Sequence, residues 1–596
     1  MFAGRGRLET LEARLYLTGS PTVQNQAYSL IAPNTLNEPA PGVLAGATDP
    51  NNETLMAQLV SSPPSGASLG VNGNGSFSYM PAPGFLGTDS FGFTAMDTSM
   101  NVSNQGTATL DVQYAITSAV DQTKLPVDTV SASRQIIGDS GGTPAGEHNL
   151  ALAYSQMAAH PTSTIEGNFT TSIANAPVNA ETVTATLTFN GVQQPLAYYS
   201  LAGISMQSSA IHVAMPFDAS SLATGRYAYS LSIDSPNMNA ASTINGAMNV
   251  VNDAAGPAGA GWDVAGVQRL YVNSASGVAA GVLETDGTGN AFYYTQGSGN
   301  AYTSPAGDFS TLTSVSGGGW QLVDKYGATY NFNASGFETS EVARTGITNT
   351  YNYTSGLLTS ITDTFGRAVT LGYTSGLLSS ITDLAGNVTT IGHTGTDLTS
   401  ITLPDPGGGA PEWQYAYSTG HYLTGLTDPM SAATSYTLDA GNTISQTTLP
   451  GGASSTASGE QGMGFGGTSS TSPPNAMMGT AVLPSTTDEM ANTSTYQTDA
   501  LGNLLSFTDA NGQTTTWARD ANGLVTTLTQ PAPAVGQPQP VTTFTYDTLG
   551  NQTSAVGALD SFGVTTFNSF SEPIKRVNSL NDVWTWVYDV HGNLLS

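Results

Sequence analysis

No cysteine occurs among the 596 residues, so thiol nucleophiles, disulfides and zinc–thiolate sites are excluded. Chemistry is left to carboxylates, six histidines and six tryptophans. Asp49, Asn51, Glu53 and Asp97 are candidate calcium ligands, because hard oxygen donors near module ends suit that ion. The competing account is that short Asx side chains hold turns through the neighbouring backbone. His148, His160 and His212 are scattered without ligand spacing, while His393, His421 and His591 occupy or border repeated positions. Gly66-Ala67-Ser68-Leu69-Gly70 has the letters of a hydrolase elbow, which works only between a strand and a helix. Here it runs into a hairpin. Gly462-Met463-Gly464-Phe465-Gly466-Gly467 spells a dinucleotide fingerprint without the strand and helix that make one. No catalytic set emerges, and the expectation is a non-enzyme with no cofactor besides calcium. Trp413, Trp517, Trp584 and Trp586 offer flat faces for stacking on sugar rings. Cross-strand packing is the other use of such residues.

The composition bounds the partners. Lys and Arg number 13 against 42 Asp and Glu, a net charge of −29, and only 9% of residues are charged. Nucleic acid demands a basic face, and anionic lipid does too, so both are excluded. A carbohydrate or cell-surface ligand fits better. No run of 18 apolar residues is present to span a membrane, and no apolar signal-peptide core opens the chain. At roughly 150 residues per domain, the length predicts about four units. Gly (68) and Pro (31) punctuate the chain with turns and disfavour long helices. The 39% hydrophobic content with 25 Tyr and 19 Phe is enough for a core.

The elements that must position these residues are strands. Within 22–114, Ser76-Phe77-Ser78-Tyr79-Met80 alternates after the turn Asn72-Gly73-Asn74-Gly75, and 107–114 alternates again. Such spacing predicts a β-sandwich. Within 115–255, the stretch 181–189 puts Val183, Ala185, Leu187 and Phe189 on one face and Thr on the other before Asn190-Gly191; 225–233 repeats the pattern. A second sandwich with one solvated face is expected.

The remainder repeats itself. Tyr353-Thr354-Ser355-Gly356-Leu357-Leu358 followed by Ile361-Thr362-Asp363 and Gly366 recurs 20 residues later as Tyr373 to Gly386. Weaker copies start at His393 and Leu423, Asp439-Ala440-Gly441-Asn442 carries a shortened step, and Asp-x-x-Gly steps return at Asp499, Asp520, Asp547 and Asp589. A 20-residue unit with a glycine turn every ten residues is one β-hairpin. A lone hairpin is unstable, so successive hairpins must add edge to edge into one sheet.

These motifs resemble known families. The opening Leu8-Glu9-Thr10-Leu11-Glu12-Ala13-Arg14-Leu15 resembles the LEPRxLL-type export segment of bacterial surface proteins. Gly42-Val43-Leu44, 74–81 and 84–91 resemble cadherin-like, VCBS-type Ig-fold modules. The Tyr-Asp hairpins, with the Gly-rich lead 256–270 and the stretch 320–332, resemble the YD repeats of the Rhs and teneurin family, which includes toxin-complex shells. The resemblance implies an all-β chain: tandem Ig-like β-sandwiches, then a YD-repeat hairpin sheet forming part of a curved or hollow shell. The expected division is 1–21 export segment, 22–114 and 115–255 sandwiches, 256–350 lead-in, 351–450 repeats, 451–490 low-complexity loop and 491–596 repeats. It also implies a secreted or cell-surface bacterial protein acting as scaffold or carbohydrate-binding adhesin. The alternative is the N-terminal part of a toxin shell. The chain stops at Ser596 inside a repeat signature, so the expectation is that either the sequence is truncated within 491–596 or a partner chain completes the wall.

Overall fold

The computed structural model describes residues 19–123, 135–137, 150–173, 181–201, 210–273, 275–439, 442–458, 465–474, 477–478, 484–499, 502–557 and 561–596. Residues 1–18 of the expected export segment, His148, residues 462–464 of the glycine fingerprint and the repeat residues Gly441 and Leu501 lie outside them. Among the described residues, helix is confined to one α-turn, Gln156–Ala159, and one 3₁₀ turn, Gly42–Leu44.

In the first sandwich, Gln26–Ile31, Gly106–Gln113, Gly87–Met96 and Met56–Ser61 form one sheet, in that order, and Leu36–Glu38, Phe77–Met80 and Ser68–Val71 form the other. The first strand runs parallel to Gly106–Gln113, closing the module. Phe77 and Tyr79 are buried while Ser78 and Met80 face out, as the alternation requires. Phe77 packs edge-on against Tyr28 and Phe91 at 4.9 and 5.3 Å.

The second sandwich sets Ile116–Asp121, Thr162–Thr171 and Ala210–Asp218 against Thr182–Phe189, Gly225–Asp234 and Ser242–Val250. Val183, Ala185, Leu187 and Phe189 are all buried. The two sandwiches share one hydrophobic cluster. At their junction the Tyr114 hydroxyl lies 2.7 Å from Ser235 Oγ, and the Tyr114 backbone bonds Asn237 and Asn239.

A four-stranded meander follows: Arg269–Asn273, Gly281–Thr285, Ala291–Gln296 and Tyr302–Thr303. The chain then enters a single 25-stranded sheet from Thr311–Ser314 to Val583–Thr585. Every neighbouring pair in it is antiparallel, as in Thr348–Thr354 with Leu357–Thr362. The wall therefore begins inside the lead-in, well before the first clear repeat at 351. At one margin Ser355 and Gly356, with φ of 53° and 82°, make a two-residue turn of the hairpin type. At the other, Asp363 Oδ1 accepts the N–H groups of Phe365 and Arg367 at 2.8 and 2.9 Å, and Gly366 takes φ of 81°. A β-bulge separates the two: Asn352 pairs with Ser360 and Tyr353 with Leu358, leaving Thr359 extra. This brings Leu358 and Ile361, three apart in sequence, to the same buried face.

That face packs against a second layer, Leu150–Tyr154 paired with Trp262–Ala265. Trp262, Leu152, Leu398 and Ile401 are fully buried there. Trp262 Nε1 donates to the Tyr417 hydroxyl at 2.8 Å, and Tyr154 donates to the His421 carbonyl at 2.6 Å.

The segment 451–490, expected as a loop throughout, departs from that expectation. Ser454–Ser458 and Ser485–Thr487 are strands that pair with each other, so the sheet continues unbroken. Between them the chain reaches back to the second sandwich. Tyr198 and Gly467 exchange N–H···O bonds of 2.9 Å, and Met477–Met478 adds to Ala210–Asp218. Small side chains forgo packing, yet their backbone groups still need partners, and an open sheet edge supplies them.

Two substitutions test the assignment of faces. Ile401→Ala, at a fully buried site, is expected to cost about 2–5 kcal/mol in denaturant unfolding. Thr370→Ala, on the exposed opposite face, is expected to cost under about 1 kcal/mol. Equal costs would contradict the one-sided core.

Candidate functional site

The margins of the wall meet at one place. The turn 343–347 follows the fourth strand of the sheet, and 568–572 follows the twenty-third, yet the two touch. Arg344 Nη1 lies 2.5 Å from Glu572 Oε1, each side chain only 15% exposed. The same guanidinium donates to the Val590 and Asp589 carbonyls at 3.2 Å and stacks 4.0 Å over the Phe570 ring. Beside it, the Ser571 hydroxyl donates to the Lys325 carbonyl at 3.4 Å. Gly327 sits so close to Phe570 that a Cβ there would come within 2.9 Å of the ring. These turns belong to opposite margins of the sheet. The sheet thus curls until one margin meets the other, in a spiral seam rather than a closed barrel. Arginine suits the position because its planar fork can serve a carboxylate, two carbonyls and a ring at once.

The turn carboxylates are committed to backbone. Asp488 is held below the usual carboxylate range by the Asn492 side chain first and then by backbone N–H groups; Asn593 does the same for Asp589. The first sandwich follows this pattern. Asp49 Oδ2 accepts the N–H groups of Asn51 and Glu53 at 2.8 Å, and Asp97 accepts the Asn101 N–H at 2.8 Å. Glu53 accepts from Thr98 and from the Ser99 N–H and hydroxyl, both 2.9 Å. Asp49, Glu53 and Asp97 are thereby gathered around the 97–101 turn and its neighbour. Among the described residues, no group of three or more His, Cys, Asp or Glu side chains is arranged to hold a metal. The histidines make local contacts: His421 with Asp397 at 2.7 Å, His160 with Asp218 at 3.3 Å and His393 with the Leu378 carbonyl at 2.8 Å.

The tryptophans stand on the wall. Trp413 pairs with Ile401, Trp517 with Leu528 and Trp584 with Arg576. Directly opposed residues share a face, and following the pairs along the sheet puts all three on the face that carries the buried Ile401. Trp413 is partly buried against the core, Trp517 and Trp586 are half-buried, and Trp584 is 47% exposed.

Sequence reading missed the buried acids of the lead-in. Glu284 is 5% exposed and Glu338 fully buried. Burial, then the nearby Asp308, pushes Glu284 up to about 8; burial above all lifts Glu338 to about 8. The Tyr294 hydroxyl joins Glu284 to Asp308, and Glu338 accepts the Gln268 N–H at 2.7 Å. The available signal was a carboxylate within Gly281-Val282-Leu283-Glu284-Thr285, a strand buried at all five positions. Such burial shuts both acids away from a substrate.

Comparison with known proteins adds the family context. Residues 19–114 match the bacterial cadherin-like domain, and residues 499–535, inside the wall, match the RHS repeat. No curated protein sequence matches the chain. Among solved structures, the Photorhabdus luminescens Tc holotoxin pore aligns at 11% identity over 75% of this chain and 27% of its own, with a TM-score of 0.31. The TcdB2–TccC3 structure without the hypervariable C-terminal region aligns at 12% identity over 75% and 26%, TM-score 0.29. The D00–D0 domain of intimin aligns at 11% identity over 39% and 99%, TM-score 0.17. The chain spans about a quarter of the length of the two toxin chains.

The raised acids set a pH dependence opposite to that of the turns. Between the ordinary carboxylate range near 4.3 and the folded value of about 8, unfolded Glu284 loses its proton while folded Glu284 keeps it. Stability therefore falls as pH rises through this window. Glu284→Gln is expected to melt with the parent at pH 4 and several degrees higher at pH 8. The same difference at both pH values would refute it.

Proposed function

We propose that this chain, a bacterial cadherin-like domain joined to an RHS-repeat wall, is a non-catalytic structural scaffold outside the cell whose wall forms part of a cargo-enclosing shell. The observation that carries the reading is the seam. A sheet whose opposite margins are stitched together across nineteen strands bounds a space, and a spacer would have no use for that. The rest of the enclosure is assigned to further polypeptide, adding strands beside Val583–Thr585, the outermost strand of the sheet. The sandwiches are fused into one core and meet the wall at Thr162, whose hydroxyl lies 3.5 Å from that of Tyr422.

An adhesive role belongs to the same proposal in a narrower form. Trp584, 47% exposed, keeps ring surface free for a sugar. Asp49 Oδ1, buried without a hydrogen-bond partner, favours a calcium ion at the 49–53 turn, where Asn51, Glu53 and Asp97 are near. A calcium-dependent rise in melting temperature tests the ion.

The shell reading is tested at Arg344. Breaking a half-buried ion pair from one side costs about 3–5 kcal/mol, and exposed turns exchange their amides according to local opening free energy. Arg344→Ala is expected to speed hydrogen exchange at 568–572 and 589–593 at least tenfold, with the turn 383–387 unchanged, and to enlarge the particle in small-angle scattering. Unaltered exchange at both turns would remove the seam and the enclosure with it.

A further inference from the structure

A cleft of about 850 Å³ opens between the outer face of the second sandwich and the lead-in meander. Its floor comes from Gly225–Asp234 and Ser242–Val250, its side from Ala291–Gln296. The two walls are fixed to each other. Asn249 Nδ2 donates to the Ala291 carbonyl at 3.1 Å, and the Arg226 N–H donates to Asn273 Oδ1 at 3.1 Å.

Arg226 is the one cation among the lining residues. Its guanidinium sits 5.1 Å from the centre of the Tyr293 ring, and Nη1 donates to Asn249 Oδ1 at 2.7 Å. A guanidinium carries five N–H donors; among the described residues this is the one side-chain hydrogen bond it makes, and no carboxylate pairs with it. Asp121, the one acid in the lining, is committed elsewhere: it accepts from the Tyr229 hydroxyl and from the Thr123 N–H at 2.9 Å. Burial pulls the Arg226 pKa below its ordinary value. A partly desolvated charge without a counter-ion is costly, and in a chain of net charge −29 acidic partners were plentiful. An arginine kept from all of them is placed to take an anion from outside.

The rest of the lining narrows that anion. Asn245, exposed in the lining, supplies an amide suited to adjacent hydroxyl groups, and Phe292, 39% exposed, offers a ring for the C–H face of a pyranose. Gly246 belongs to this design: a Cβ there would collide with the Tyr229 hydroxyl, displacing the Tyr229–Asp121 pair that finishes the floor. The volume falls within the range of small-ligand sites and suits a short oligosaccharide.

We infer that this cleft binds an acidic saccharide, its carboxylate or sulfate on the Arg226 fork and its sugar face on Phe292. The site is independent of the shell reading, since it touches neither the seam nor the repeats. Calorimetric titration of the full chain with tetragalacturonate, a sulfated cello-oligosaccharide and neutral cellotetraose tests it. At least one acidic probe is expected to bind, about tenfold or more tighter than the neutral one, and which of them binds separates a carboxylate from a sulfate ligand. Arg226→Gln is expected to weaken that binding about tenfold or more, the loss of a charge-assisted hydrogen bond. Phe292→Ser, at an exposed position, is expected to weaken it several-fold with melting unchanged. No binding of either acidic probe at millimolar concentration overturns the proposal. So does equal binding of the neutral probe, or unaltered affinity in both variants.

Discussion

Each wall strand has backbone donors and acceptors on two sides, and its own hairpin satisfies only one of them. The rest of the structure depends on that shortfall. Unpaired N–H and C=O groups are costly to leave unsatisfied, so every hairpin must be met by the next, and the sheet grows to 25 strands without a break. Even the low-complexity stretch obeys: Ser454–Ser458 and Ser485–Thr487 close ranks, and of the described residues between them Gly467 and Met477–Met478 bond strands of the second sandwich. Turns and bulges then decide shape. A left-handed glycine at each described Asp-x-x-Gly corner keeps the strands short, and a bulge in about every second strand pair of the repeats, as at Thr359, adds local twist. Repeated strand after strand, a small rotation brings opposite margins face to face.

Charge is scarce in this protein, and where it occurs it marks junctions. Only 13 residues are basic. Arg344 joins the two ends of the spiral. Arg269 stacks on Tyr271 and, at 4.2 Å, on Phe337, where the meander meets the wall. Arg226 holds the floor of the cleft between meander and sandwich. Lysine is a compact point charge, whereas the guanidinium plane can stack and bond together; Arg344 and Arg226 use both properties, and Arg269 uses stacking.

Carboxylates divide into two populations by environment. At the wall margins they accept backbone N–H groups, and Asp488 and Asp589 are held below the usual carboxylate range by their Asn partners and these bonds, so acid weakens those two turns. Beneath the lead-in they are buried and hold their protons, so alkalinity strains the interior. The repeat supplies the first population by rule. The second arises where a few acids were folded under a sheet with tyrosines as their nearest polar neighbours.

The sequence by itself determined the local elements: alternation in 76–80 and 181–189, glycine corners every ten residues, and hence hairpins that must pair laterally. These follow from side-chain period and from φ, both properties of a few consecutive residues. The bulge that brings Leu358 and Ile361 to one face is seen in the structure alone. The candidate sites were legible only as residue types. Which face Trp413 and Trp584 share, that Arg344 finds Glu572, and that Arg226 finds no carboxylate depend on the accumulated twist of many strands. Twist adds up over the whole sheet, while the sequence near any one residue records only its own small share.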